Sequence, residues 1–347
     1  MKQFQLSLYV LLVLSIACTR PSGQQTALKP VIVTDAVPGD TDDPAIWINP
    51  YNPDSSLILG TDKGQLNGGV YVFNLDGKID TSRSKLHLKR VNNVDVAYGF
   101  KFDNIKIDIA VATERDRHAI RIFSLPSMNL IDGGGIRVFE EASLNLPMGI
   151  ALYKRERDGN IFAIVGRKEG PLSGYLYQYL LYDSSNVVKA KLVRKFGTYS
   201  GKKEIESIAV DHQLGYVYYS DEQVGIRKYH ADPDSADVQL AIFGANEFKE
   251  DNEGISIYST SDKEGYILVS DQSANRFNVY ARQGSATNPH EHKLIKRIPF
   301  STNNSDGSDV TSVDLPGFKG GLFVAMSDNK TFQFYSWQQI MERISVK

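Results

Sequence analysis

The stretch VYVFNL, Val70–Leu75, is a short run of β-branched and aromatic residues with the alternation of a strand. Five more such runs follow it: IRIFSL (Ile120–Leu125), LYQYLL (Leu176–Leu181), IRKYHA (Ile226–Ala231), FNVYAR (Phe277–Arg282) and FQFYSW (Phe332–Trp337). Each carries one aromatic anchor, at Phe73, Phe123, Tyr179, Tyr229, Tyr280 and Tyr335, and the intervals between anchors are 50, 56, 50, 51 and 55 residues. An interval kept through the whole chain marks a structural repeat.

Every anchor run has two partners upstream. The nearer is an apolar strand with a polar end: LILGTDKG, IAVATERD, FAIVGRKEG, VYYSDEQ, ILVSDQS and LFVAMSDN. The farther is entered, in most copies, through polar residues: DDPAIWI, NNVDVAY, LPMGIAL, EIESIAV, DNEGISIY and SDVTSVDL. A unit of about fifty residues thus holds three strands with room for a fourth, and no helical pattern is long enough to supply a crossover. Six such sheets repeated radially predict an all-β, six-bladed β-propeller. A pair of β-sandwich domains fits less well, because no break in composition divides the chain near its middle. The one helix expected is SWQQIMERI, Ser336–Ile344.

The chain has 347 residues, 41% hydrophobic and 23% charged, which is a globular composition. Its net charge of −2 gives no case for nucleic acid as a partner. Residues 1–17, MKQFQLSLYVLLVLSIA, form a short apolar run behind Lys2 with the layout of a signal peptide. The run ends SIAC, which resembles a bacterial lipobox, and Cys18 is the sole cysteine. The expectation is a lipidated Cys18 at the head of a polar tether over residues 18–30, followed by one propeller domain over 31–347. Such a chain is exported and anchored to a membrane by its lipid, on the periplasmic or cell-surface side, as a monomer. A single cysteine leaves no intrachain disulfide framework.

Repetition gives meaning to GDTDDPAIWINP, Gly39–Pro50, which crowds Asp40, Asp42 and Asp43 into four positions. Corresponding positions of a propeller face one place, so Asp42 and Asp43 are expected to recur as Asp95, Glu206, Asp251 with Glu253, and Asp309. The polar ends of the second strands recur as Lys63, Arg115, Lys168 with Glu169, Asp221 with Glu222, Asp271 with Gln272, and Asp328. Bases dominate units one to three and acids units four to six, which predicts a basic arc facing an acidic arc on one rim. The alternative is that these acids and bases simply pair as rim ion pairs.

Carboxylates and amide oxygens without a Cys or His cluster suit hard cations, calcium in particular. Lys and Arg opposite them suit phosphate oxygens. Together they predict metal-assisted hydrolysis of a phosphate ester by a metal-activated water. Other phosphatase chemistries fare worse. The only thiol is at the anchor. RHAIRI, Arg117–Ile122, has Ala119 and Ile122 where the histidine acid phosphatase loop needs Gly and Pro. There is no G-x-S-x-G elbow, no H-E-x-x-H and no P-loop. His290 and His292, in NPHEH, read as a solvated loop.

The segments DTDDPAIWINP, NNVDVAYGF, DIAVATERD, GRKEG, DNEGISIY and YARQG resemble, in order, those of the β-propeller phytases. The resemblance runs from about Val31 to Ile344 and implies a six-bladed, calcium-dependent enzyme acting on myo-inositol hexakisphosphate (phytate). It implies that Asp42, Asp43, Glu206, Glu222, Asp251, Glu253 and Gln272 serve several calcium ions. It implies that Lys63, Arg115 and Lys168 contact phosphate, with Glu169 beside them. Asp95 and Asp309 join the metal set through the repeat. Three segments depart from the family pattern. Met148 stands where an aromatic precedes Gly. SDVTSVD puts Thr311 and Ser312 in place of an acid and a glycine of S-D-T-D-G-I-D. FVAMSDN replaces F-V-x-Q-D-G, with Met326, Ser327 and the acid at Asp328. Two other readings stay open at this point: a non-catalytic surface propeller that binds an anionic ligand or a protein, and a propeller hydrolase or lactonase with a single calcium.

Overall fold

The computed structural model describes residues 25–345. The expected signal segment and Cys18 lie outside these residues. Among the described residues the first pairing is through Leu28, whose N–H donates to the Pro299 carbonyl at 2.8 Å. It then forms β1 (Ile32–Val33) and enters six antiparallel sheets in succession.

The first blade is β2 (Thr41–Trp47), β3 (Leu57–Asp62), β4 (Gly68–Phe73) and β5 (Lys85–Leu88), in spatial order. The second is β6 (Val91–Phe102), β7 (Ile105–Glu114) and β8 (Ala119–Leu125), with β9 (Asn129–Leu130) and β10 (Ile136–Arg137) both pairing with β8. The third runs β11 (Pro147–Lys154), β12 (Ile161–Arg167), β13 (Ser173–Asp183) and β14 (Val188–Thr198). The fourth runs β15 (Ile208–Asp211), β16 (Tyr216–Asp221), β17 (Gly225–His230) and β18 (Ala241–Phe243). The fifth runs β19 (Asn252–Ser259), β20 (Gly265–Asp271), β21 (Arg276–Ala281) and β22 (Leu294–Pro299). The sixth has β23 (Ser308–Thr311), β24 (Leu322–Ser327) and β25 (Thr331–Ser336), and its outer strand is β1. Ile32 lies opposite Phe334 and Val33 opposite Gln333, so the two ends of the chain close the ring. Helix α1 (Trp337–Ser345) follows at once, and Trp337 stacks on Tyr258 of the fifth blade with ring centroids 3.6 Å apart.

The six anchors fall on the third strands and all are buried. They pack between blades rather than within them. Phe123 of the second blade, for example, joins Leu59, Val70 and Val72 of the first in one apolar cluster. Each blade is covered on both faces by its neighbours, so strands such as LILGTD and IFAIVGR are buried along their whole length. This is why their sequences are continuously apolar rather than alternating.

One irregularity repeats and decides the site. At the entry to the innermost strand the ladder slips, between Thr41 and Pro44, Val91 and Val94, Pro147 and Ile150, and Asn252 and Ile255. A bulge of this kind re-aims the side chains within it. The registers Ile208 opposite Tyr219 and Ser308 opposite Ala325 put Glu206 and Asp306 at the same place in the fourth and sixth blades. The equivalent residues are therefore Asp42, Asn92, Met148, Glu206, Glu253 and Asp306. Hydroxyls of the preceding blade hold the backbone there: Thr113 donates to the Met148 carbonyl and Ser220 to that of Glu253, both at 2.7 Å.

Candidate active site

The bulge residues surround one mouth of the central channel, and the second strands end beside them in Lys63, Arg115, Lys168, Glu222, Gln272 and Asp328. A cleft of about 480 Å³ opens there. Of the expected residues, Lys63, Arg115, Lys168, Glu206, Glu222, Glu253 and Gln272 line it. Asp42 and Asp251 reach it through their ion pairs.

Two carboxylate clusters form in the cleft. Asp42, Glu206 and Asp306 make one, and Glu222, Asp251 and Glu253 the other; within each, the ligand oxygens lie within 4.8 Å of one another. One ammonium answers each cluster. Lys63 Nζ is 2.8 Å from Asp42 and 2.7 Å from Asp306. Lys203 Nζ is 3.0 Å from Glu222 and also bonds Asp251. Amides complete the shell: Asn92 donates to Asp42 at 2.7 Å, Gln272 to Asp306 at 2.5 Å and Gln223 to Asp251 at 3.0 Å.

Three carboxylates against one ammonium leave negative charge uncompensated. Burial pushes the pKa of Glu206 well up, and Asp42 beside it adds to the rise. Burial does the same to Glu253, with Glu222 adding. Glu222 is raised to about 7 by burial, against the pull of Lys203, and Asp306 to about 6, against Lys63. The buried Oε2 of Glu253 and Oδ1 of Asn92 have no hydrogen-bond partner among the described residues. An under-neutralised, all-oxygen donor set with orphaned acceptors fits a hard divalent cation.

Three expected metal residues lie elsewhere. Asp43, Asp95 and Asp309 line the channel beneath the cleft. Asp95 accepts from the Leu152 N–H at 2.6 Å and Asp309 from the Ile46 N–H at 2.7 Å, so each ties its innermost strand to that of a neighbouring blade. Burial raises Asp95 to about 6 and Asp309 to about 7. They sit three residues past the bulge, which is why the repeat register misassigns them. Glu169 is exposed in a side depression next to Lys168, and Asp328 is exposed outside the cleft.

The structure also corrects the expected departures. The acid and glycine of S-D-T-D-G-I-D are present as Asp306 and Gly307, so Thr311 and Ser312 replace nothing. A Cβ at Gly307 would come 2.3 Å from Asp43 Oδ1, so only glycine fits. Met326 is a buried core residue and Ser327 offers its carbonyl to the Thr41 hydroxyl at 2.9 Å. Met148 remains a departure: it fills a bulge position with a buried apolar chain. The two arcs are not separate either. Lys168 pairs with Glu204 at 2.5 Å, and Lys63 and Lys203 sit among acids. Arg90, Lys203, Glu204 and Asp306 were not singled out by the sequence. Only Asp306 carried a signal, the D-G pair.

The phytase family model matches residues 6–345. The chain belongs to the phytase family. It is 29% identical over 330 residues to the 3-phytase of Bacillus subtilis (strain 168), covering 87% of this chain and 81% of that protein. Among solved structures, the Penicillium chrysogenum alpha-L-arabinanase complexed with arabinobiose superposes with a TM-score of 0.56 at 9% identity, over 91% of this chain and 99% of that one. That likeness shows the fold alone. Family and relative make this chain a phytase-type hydrolase, and phytate hydrolysis is its general activity.

Proposed function

We propose that this chain is a calcium-dependent phosphomonoesterase that works in the cleft at the channel mouth. The observation that carries the reading is the meeting of two three-carboxylate clusters with Lys63, Arg115 and Lys168 in one cleft. Asp42, Glu206 and Asp306 would hold one calcium, and Glu222, Asp251 and Glu253 another. Calcium, when bound, neutralises phosphoryl charge and acidifies a coordinated water. The chain's own residues do the rest. Arg115 offers a planar fork to phosphoryl oxygens, while Lys63 and Lys168 offer point charges. Lys63 bonds Asp42 and Asp306, and Lys168 bonds Glu204; Asp42 and Asp306 would also be ligands of the cation, so Lys63 would then be free to turn to the phosphoryl oxygens. Glu206 stands 3.7 Å from the Arg115 guanidinium, close enough to favour its charge without bonding it. The N-terminal reading belongs to the same proposal: export, a lipidated Cys18 and a short tether put this cleft at a membrane surface.

The test is phosphate release from phytate with calcium titrated against EGTA. Release that rises with calcium and stops with the chelator is the expected result. Release that ignores the chelator, or no release at any calcium level, overturns the reading.

A further inference from the structure

Five cations line the cleft: Lys63, Arg90, Arg115, Lys168 and Lys203. The three lysines are committed, each at hydrogen-bond distance from a carboxylate. The two arginines are not. The Arg90 guanidinium stands 3.7 Å from the exposed Asp116, and that of Arg115 3.7 Å from Glu206, both beyond hydrogen-bond reach. The buried Nε of each has no hydrogen-bond partner among the described residues. A buried N–H left unpaired is costly, and both guanidinium groups belong to residues that line one open cleft, where an acceptor from outside the chain can reach them.

The backbone brings the pair together. The Arg115 N–H donates to the Arg90 carbonyl at 3.0 Å, and the next N–H, of Asp116, to the Lys89 carbonyl at 3.3 Å. Two side chains 25 residues apart thus start from adjacent points at the ends of β5 and β7. Arg90 holds this place in the left-handed region, φ 55°, which is uncommon for a residue with a long side chain. A guanidinium has five N–H donors in a fixed fork that matches phosphate bidentately.

We propose that Arg90 is a second phosphate-binding arm of this active site, closing with Arg115 on one phosphate dianion. The inference rests on the phosphatase reading of the cleft and adds to it a residue that neither the repeat nor the family resemblance picks out. Arg90 and Arg115 then fix the first phosphate of a polyphosphorylated substrate before any lysine is freed from its carboxylates.

Inorganic phosphate is the probe, with binding to the full chain followed by calorimetric titration. Arg90→Gln should weaken phosphate binding by about tenfold or more, since charge-assisted bidentate bonds are the strong ones. Arg90→Lys, which keeps the charge and loses the fork, should fall between. Arg117→Gln, an exposed neighbour outside the cleft, should bind as wild type. With phytate, Arg90→Gln should raise KM with kcat little changed. Equal phosphate affinity in wild type and Arg90→Gln overturns the inference, as does a wild type that binds no phosphate. If wild type binds phosphate through Arg90 yet releases none from phytate, the catalytic reading fails and this one stands.

Discussion

Lys203 is a cation built into an anion cluster. Its Nζ bonds Asp251 and lies 3.0 Å from Glu222, while Glu253 completes the triad with no ion pair among the described residues. Burial works against the charge of Lys203, but the bonds to Asp251 and Glu222 outweigh it and hold the pKa above that of an ordinary lysine. A divalent ion on the same oxygens has to displace this ammonium. Lys203→Met should therefore raise calcium affinity by roughly tenfold, a modest share of the Coulomb energy between charges about 4 Å apart because the side chain is 40% exposed. The metal-free variant should also melt lower, because three crowded carboxylates lose their counter-charge. Calorimetric calcium titration of wild type, Lys203→Met and the exposed neighbour Lys202→Met checks this; an unchanged or weaker affinity in Lys203→Met contradicts it. In GKKEIES nothing set Lys203 apart from Lys202. Its partner Asp251 is 48 residues away, and only the ring brings the fourth and fifth units side by side.

At the level of strands and loops, the seam between the fourth and fifth blades shows what local sequence hides. NPHEH reads as a solvated loop, yet His292 is buried. Its Nδ1–H donates to the Ala281 carbonyl at 2.7 Å, which leaves Nε2 to accept from Lys228 at 3.1 Å. Lys228 also donates to the Pro289 carbonyl at 2.8 Å and lies 3.9 Å above the Tyr216 ring. Burial lowers the His292 pKa to about 4; the bond to Ala281 and the charge of Asp211 resist this, and Lys228 and His290 assist it. The unfolded chain, with an ordinary histidine pKa near 6.5, binds the extra proton first. Stability held above pH 6.5 is therefore lost as pH falls through about 4, by ~3 kcal/mol over the window. His292→Gln, whose amide can still accept from Lys228, should lack this loss. Urea melts of both proteins at pH 7, 5.5 and 4 measure the difference, and parallel pH courses would contradict it. The bulges teach a related lesson. The strands were readable because apolar runs and aromatic anchors are local, whereas a bulge is a mismatch between two strands. Without it the count along the second and sixth units stops three residues late, on Asp95 and Asp309 instead of Asn92 and Asp306.

For the whole molecule, the five intervals between the six anchors carried the architecture and the second-strand ends carried Lys63, Arg115 and Lys168 into one cleft. The closure was not readable. It rests on the two residues of β1, too few to show a pattern, and their partner strand lies some three hundred residues away. The ring nevertheless depends on it. A propeller whose last sheet lacks its outer strand leaves β25 with an unpaired edge, and every blade interface is held only as long as the circle stays shut. Thr34 is the critical point. Its N–H donates to the Phe332 carbonyl at 3.0 Å, and its hydroxyl accepts from the Phe332 N–H at 2.9 Å, so one buried residue satisfies both backbone groups of its neighbour. Thr34→Pro removes the donor and the hydroxyl together and strands both groups of Phe332 in a buried site, at a cost of about 1–3 kcal/mol each. We expect a loss of about 3 kcal/mol or more, read as a lower urea midpoint. Val33→Lys is the control, because Val33 is 49% exposed and offers its side chain to solvent; it should stay near wild type. Calcium should recover part of the loss in Thr34→Pro, since Asp42 of the first blade and Asp306 of the sixth belong to one carboxylate cluster and a cation between them bridges the same seam. A Thr34→Pro variant that unfolds with wild type would mean that the apolar interface between the sixth and first blades closes the ring without the strand.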